Sequence, residues 1–294
     1  MTGDSSSKRP SETLRKLNVV RSLLVGGWIA ALVWWERRSA LRPVVDSKLS
    51  RDGKNLVVAA SAGAVMQFVE APVAMALARR AERRRSGLVQ WLPVPAAMRV
   101  AMAIVLLDYT LYGWHVLTHR LPFLWRFHQV HHVDREMDAS TALRFHFGEI
   151  ALSVAFRAGQ VWAIGPTPVM VAIWQMFLFA CILFHHANVR LPLAWERRLG
   201  RIVMTPRLHG IHHSIAPDEV NSNWSSGLTA WDWLHGTLRT DVPQECIVIG
   251  VAGLRADVDQ GLRAALVLPF QEMVAPAPVG SSELSRQSLG ELRE

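Results

Sequence analysis

Cysteine is almost missing from this 294-residue chain: Cys181 lies inside an apolar block and Cys246 near the end. Two such residues build neither a disulfide framework, nor a zinc knuckle, nor a cysteine-held iron–sulfur cluster. A glycine-rich dinucleotide fingerprint, a flavin motif and an HExxH signature are also missing, so any redox chemistry needs electrons from elsewhere. The first 17 residues, MTGDSSSKRPSETLRKL, lack the apolar core and small-residue cleavage site of a secretory signal and are expected to form a flexible cytoplasmic tail. Acidic side chains are in deficit: 24 Asp and Glu stand against 32 Lys and Arg, a formal charge of +8. The basic residues neither interleave with aromatics on a polar surface nor form a nucleic-acid motif, so no nucleic-acid partner is expected and the charge is read as contact with lipid headgroups.

What the chain does have is apolar blocks. Half its residues are hydrophobic and its mean hydropathy is +0.17, high for a soluble protein of this charge. Arg and Lys fall between the blocks, the distribution of an integral membrane protein. Residues 22–35 are uncharged and end in two tryptophans ahead of Glu36, Arg37 and Arg38, which suits a short spanning helix with an interfacial anchor; a buried core helix is the alternative. Residues 55–78 form a second block, in which Glu70 should face the bundle interior or lie near the interface, because a carboxylate at membrane depth is costly. The basic run 79–87 reads as solvated or headgroup-facing. Residues 95–114 form a third block. Residues 150–184 carry Arg157 as their sole charge and are broken by Gly165-Pro166-Thr167-Pro168, which predicts a helical hairpin returning to the side it entered from. Residues 187–240 are mixed and polar-aromatic, as expected of short helices under the bundle, and residues 257–270 suit one more helix.

Eleven of the twelve histidines fall in two windows, 115–146 and 185–213. His115 and His119 are four apart, hence on one helical face. His128, His131 and His132 stand at i, i+3 and i+4, and His209, His212 and His213 repeat that spacing, so each set is expected to aim several neutral nitrogens at one point. A single ion seldom takes more than about four to six protein ligands, so eight or more histidines predict two metals. Asp108 shares a stripe with Tyr112, His115 and His119; it is expected either to accept the second N–H of a ligand imidazole or to pair with an arginine.

The stretches LLDYTLYGWHVLTHRLPFLWRFHQVHHVD, TALRFHFGE, FHHANVRLP, TPRLHGIHHS and NSNWSSGLTAWDWLHGT occur in this order between about residues 105 and 240. Together they resemble the fatty acid hydroxylase superfamily, also called the sterol desaturase family. The resemblance implies an all-α fold: an integral membrane bundle, here of about four to five apolar helices, with a cytosolic histidine-rich helical cap. Together with the composition and the apolar blocks it divides the chain into a disordered tail (1–17), N-terminal membrane helices (18–92), a catalytic domain (93–240), a C-terminal helical region (241–274) and a disordered tail (275–294).

The resemblance also implies a pair of iron ions, with zinc a possible occupant after purification, and O2-dependent hydroxylation or desaturation of a lipid C–H bond, fatty acyl, sterol or related. Its ligand pattern carries over to His115, His119, His128, His131, His132, His209, His212 and His213, with His186 of HHAN as a ninth ligand and His185 as the adjacent alternative. His146 and Asn188 are candidates for a ligand or supporting role, although Phe147 replaces the family's proline. His235, where the family commonly has phenylalanine, is expected to be structural, and Trp231 and Asp232 to brace the cap. Electrons would come from a ferredoxin, cytochrome or reductase, docked on basic residues such as Arg201, Arg207 or the 79–85 run. The site is expected to face the cytoplasm from a bacterial inner membrane, where iron and reductants are supplied. A zinc hydrolase, a b-type cytochrome and a metal transporter are the rival classes.

Overall fold

The computed structural model describes residues 12–254 and 261–271. Among these residues the chain is helical, and its only β pairing is three isolated bridges. In order come α1 (Glu12–Arg38), α2 (Lys48–Val65), a π-helical turn (Met66–Glu70), α3 (Ala71–Arg84), α4 (Leu88–Trp91), α5 (Ala96–Arg120), α6 (Pro122–His132), α7 (Phe147–Ile164) and α8 (Pro168–His186). The shorter α9 (Leu193–Leu199), α10 (Pro206–His212), α11 (Pro217–Val220), α12 (Ala230–His235) and α13 (Leu262–Val267) follow. Prolines set several of these boundaries. Pro122, Pro168, Pro206 and Pro217 each open a helix, and the residue before each is extended, as the ring demands.

Three helical stretches among the described residues are long and apolar enough to cross a membrane: Lys48–Trp91, Ala96–Arg120 and Pro168–His186. This is fewer than the four to five expected. Helix α7 is not among them because its buried face is polar, carrying Glu149, Ser153, Arg157 and Gln160. Glu70 does face the interior, where its carboxylate accepts from Ser153 Oγ at 2.8 Å and Arg157 Nε at 3.4 Å. Helix α1 begins at Glu12, inside the stretch expected to be a tail, while the expected C-terminal tail, 275–294, lies outside the described residues. Of the helix expected over 257–270, residues 262–267 are α-helical and 268–270 form a 3-10 turn.

The hairpin of α7 and α8 fixes the two ends of the bundle. At about 1.5 Å per residue, helices of 18 and 19 residues put its tip nearly 30 Å from His146 and His186, the thickness of a bilayer core. At the tip Gly165 (φ +72°) meets Gly87 (φ +96°): a Cβ on Gly165 would lie 2.3 Å from the Ser86 carbonyl oxygen. The basic run before Gly87 is thus at the tip, with the bundle between it and Arg201 and Arg207, and cannot share a docking surface with them. Helix α1 runs parallel to α8, with Trp28 Nε1 donating to the Ala180 carbonyl at 3.2 Å and Leu32 packed on Leu183 and Phe184. The start of α1 and the histidines, both expected on the cytoplasmic side, are thereby at opposite ends of the bundle.

Candidate metal centre

At the end away from the tip, the last turns of α5 carry His115 and His119. The extended Leu121 and Pro122 reverse the chain into α6, which returns His128, His131 and His132 beside them. The C-terminus of α8 brings His186, and α10 closes the space with His209, His212 and, just past its end, His213. Nine imidazoles converge in two buried groups. His115, His119, His128, His132 and His212 form one; His131, His186, His209 and His213 form the other. Within each group the donor atoms lie within 4.8 Å of one another.

Neither HxxHH run points at one place. Successive residues are turned by about 100° around a helix, so i and i+4 differ by only about 40°, whereas adjacent residues diverge. Accordingly the pairs His115/His119, His128/His132 and His209/His213 each stay together, while His131 and His212 cross over to the opposite group. Each run feeds both groups, which ties the two into one centre.

The donor chemistry fits metal cations. His131 Nδ1 faces the Arg144 carbonyl at 3.3 Å and His186 Nδ1 the Ile182 carbonyl at 2.8 Å. A carbonyl only accepts, so both Nδ1 atoms donate, and the two Nε2 atoms of the neutral rings present lone pairs to each other at 3.0 Å. The Nε2 atoms of His209 and His186 are 3.1 Å apart, and those of His213 and His209 3.2 Å. Four nitrogens at about 2.0–2.1 Å from one ion would be separated by about 2.9–3.4 Å along the edges of their polyhedron. In the other group His115 and His212 donate Nδ1–H to the carbonyls of Trp224 (2.6 Å) and Ser222 (2.9 Å). The Nε2 atoms of His119, His128, His132 and His212 are buried with no partner. Each such atom costs about 1–3 kcal/mol, which the polypeptide alone does not offset. Protons do not fill the role: burial first, then neighbouring imidazoles, hold His131, His132, His209 and His213 well below the ordinary histidine range, and burial brings His212 down to about 3.

Four expected supporting residues do other work. Asp108 accepts from Leu228 N (3.0 Å) and Trp231 Nε1 (2.7 Å), bracing the 224–231 loop with neither a ligand imidazole nor an arginine as partner. Asn188 Oδ1 accepts from Leu41 N and Arg42 N, fastening the link between α1 and α2. His146 caps α7, its Nδ1 accepting from Gly148 N at 2.9 Å, with its ring among Phe127, Phe147 and Phe270. His185 packs on His209, ring centroids 4.0 Å apart, and belongs to neither group. Asp232 accepts from Trp224 N, Ser225 N and Thr237 Oγ1 and does brace the cap.

The carboxylate that does meet a converging imidazole is Glu149, whose Oε1 lies 2.8 Å from His128 Nδ1. Its signal in the sequence was a lone acidic residue opening an apolar helix directly after the first histidine window. Trp125 was also overlooked: it is buried, its ring is 5.0 Å from that of His119, and its indole N–H has no partner. A network anchored on α2 steadies the end of α6 and the segment after it from behind. Arg51 pairs with Asp134 (2.8 Å) and Asp138, Asn55 donates to Asp134, and Arg144 donates to the Val130 carbonyl at 3.0 Å.

Residues 100–237 match the family described as fatty acid hydroxylase. Among curated proteins the chain is 34% identical over 182 residues to an ornithine lipid hydroxylase, OlsE, of Rhizobium tropici, covering 62% of this chain and 52% of that protein. It is 30% identical over 131 residues to an alkylglycerol monooxygenase of Xenopus tropicalis (44% and 28%) and 25% identical over 167 residues to a cholesterol 25-hydroxylase of Mus musculus (52% and 55%). The chain thus spans about half the length of such relatives, or less. No solved structure matches.

Proposed function

We propose, on the premise that residues 100–237 form a fatty acid hydroxylase domain, that this protein is a membrane-bound, O2-dependent oxidoreductase that hydroxylates or desaturates a lipid C–H bond. The observation that carries this reading is the convergence of nine buried imidazoles in two adjoining groups at the end of apolar helices. Two iron ions are the proposed occupants, one held by His115, His119, His128, His132 and His212, the other by His131, His186, His209 and His213. Such a pair supplies the reduction of O2 and the oxidation of the C–H bond. The unit 93–240 is the proposed catalytic domain.

The chain's own residues hold and shield that chemistry. Backbone carbonyls fix the tautomers of His115, His131, His186 and His212 so that Nε2 points inward, and Glu149 does the same for His128. Burial of all nine rings keeps bulk water from the donors. The apolar faces of α5 and α8 suit an acyl chain lying in the bilayer. Two electrons per turnover come from an external carrier, and the histidine end faces the cytoplasm, where such carriers are reduced. An ornithine lipid, the substrate named for the Rhizobium tropici relative, is the first to test.

The geometry disfavours the rivals. A porphyrin needs a wide, flat slot free of other side chains between its two axial nitrogens, and here the remaining imidazoles of each group crowd the space around any two donors. A hydrolase needs a free carboxylate base, and Glu149 is engaged by His128. A transporter needs its sites near mid-span, and these sit at a bundle end.

The test is metal analysis of the purified, iron-reconstituted protein and its turnover with O2 and a one-electron donor such as reduced ferredoxin. About two irons per chain without haem absorption, and a lipid product that gains one oxygen atom or loses two hydrogens, bear the reading out. A single zinc, a haem spectrum or unchanged lipid after reconstitution overturns it.

A further inference from the structure

Tyrosine is the rarest aromatic residue here, two in 294 residues, and both stand on α5 within two turns of His115. The rings of Tyr109 and Tyr112 are 6.5 Å apart and nearly parallel (8°). His235 lies parallel to both, 5.8 Å from Tyr109 and 5.1 Å from Tyr112. Tyr112 meets Trp224 edge-on at 6.4 Å, and Trp224 meets His119 at 6.5 Å. The rings form an unbroken line from His119 through buried Trp224 and Tyr112 to half-buried Tyr109 and exposed His235.

Both phenols have a proton acceptor in place. Tyr109 Oη is 3.2 Å from His235 Nε2. Tyr112 Oη is 3.1 Å from Thr237 Oγ1, whose own proton goes to Asp232 Oδ1 at 2.7 Å, so Tyr112 donates. Packing alone would be met by phenylalanine, which leaves no hydroxyl to satisfy. Paired hydroxyls with bases attached are what phenol oxidation requires, because a phenol loses its electron readily only when its proton can leave with it.

We infer that Tyr109, Tyr112 and Trp224 form a one-electron path between the five-histidine group and the protein surface at His235. The inference rests on the proposed oxidation chemistry: an oxidant able to attack an unactivated C–H bond also oxidises a phenol, whose O–H bond is weaker. With no lipid C–H in reach, Tyr109 gives up one electron and passes its phenolic proton to His235 Nε2, becoming a neutral phenoxyl radical beside an imidazolium. The electron would cross Tyr112 and Trp224 to the metal pair that the histidines would hold, and two such passes would supply the two electrons needed to quench its oxidised form. The external one-electron carrier then restores Tyr109, and the proton returns from His235. The path drains a stranded oxidant before it damages the ligand imidazoles.

Two measurements on the full-length protein test this. Iron-reconstituted, reduced protein mixed with O2 in the absence of lipid should show a tyrosyl radical by electron paramagnetic resonance. Tyr109→Phe, which keeps the stack, should remove that signal and raise oxidation of His119 and Trp224, read by peptide mass spectrometry. Metal-free protein oxidised by a ruthenium photo-oxidant should place its radical on Tyr109, again lost in Tyr109→Phe and formed several-fold more slowly in His235→Gln. An iron-loaded protein that oxidises lipid yet gives no tyrosyl signal, or a photo-oxidised radical spread over tryptophans and indifferent to Tyr109→Phe, overturns the path while leaving the proposed function intact. Should the protein take up no iron, the photo-oxidation result decides the path alone.

Discussion

His128 and Glu149 meet at 2.8 Å across the junction of α6 and α7, a buried imidazole against a buried carboxylate whose other oxygen has no partner. This contact fixes which nitrogen of His128 faces the centre, so it bears on metal affinity more than on folding. Glu149→Ala should lower iron affinity by about 10- to 100-fold, and Glu149→Gln, which keeps an acceptor oxygen, by less. Competition against a chelator measures both, and an unchanged affinity in Glu149→Ala would deny the carboxylate this role.

The division of donors makes the two groups separable. His213→Ala leaves three nitrogens in its group, whereas His132→Ala leaves four in the other. The first variant should retain about one iron per chain and the second more, by metal analysis of membrane-inserted protein. Lipid oxidation should be abolished in His128→Ala and His212→Ala, and full turnover in either would remove the assignment.

Cys246 is exposed at the histidine end and Cys181 is buried in α8, so a single thiol reports the orientation of the bundle. A membrane-impermeant maleimide should leave Cys246 unlabelled in intact cells and modify it once the membrane is opened. Labelling in intact cells would place the histidines outside.

Burial raises the affinity of Asp138 for its proton, but Arg51 and Lys48 outweigh this and hold its pKa down to about 2. A carboxylate depressed on folding contributes stability that is complete above its unfolded value, about 3.9, and is lost as pH falls from there towards 2. The helical fold in detergent should therefore weaken through that window, followed by circular dichroism. Arg51→Ala strips Asp134 and Asp138 of their buried partner and should cost about 3–5 kcal/mol at neutral pH, well beyond an exposed-arginine control such as Arg201→Ala.

The sequence by itself determined which histidines share a helical face, and it determined the hairpin. Histidines three and four apart on helices must share faces, and Gly165-Pro166 between two apolar stretches must turn. Rotation about a single helix even dictates that the i, i+4 pairs remain together. Only the tertiary structure decided that His131 and His212 change sides, because that depends on which helix stands across the gap. Asp108 and Glu149 are equally acidic in the sequence, and both lie close to histidines. Packing gave Asp108 an indole N–H and a backbone amide to satisfy, and gave Glu149 the imidazole. The turn at Gly165 follows from its neighbours in the chain, whereas its need for glycine arises from Gly87, 78 positions earlier, whose backbone occupies the space a side chain would take. Periodicity is a local property of the backbone and can be read along the chain. The partner of each buried polar atom is set by contacts between distant segments, and these exist only once the helices have packed.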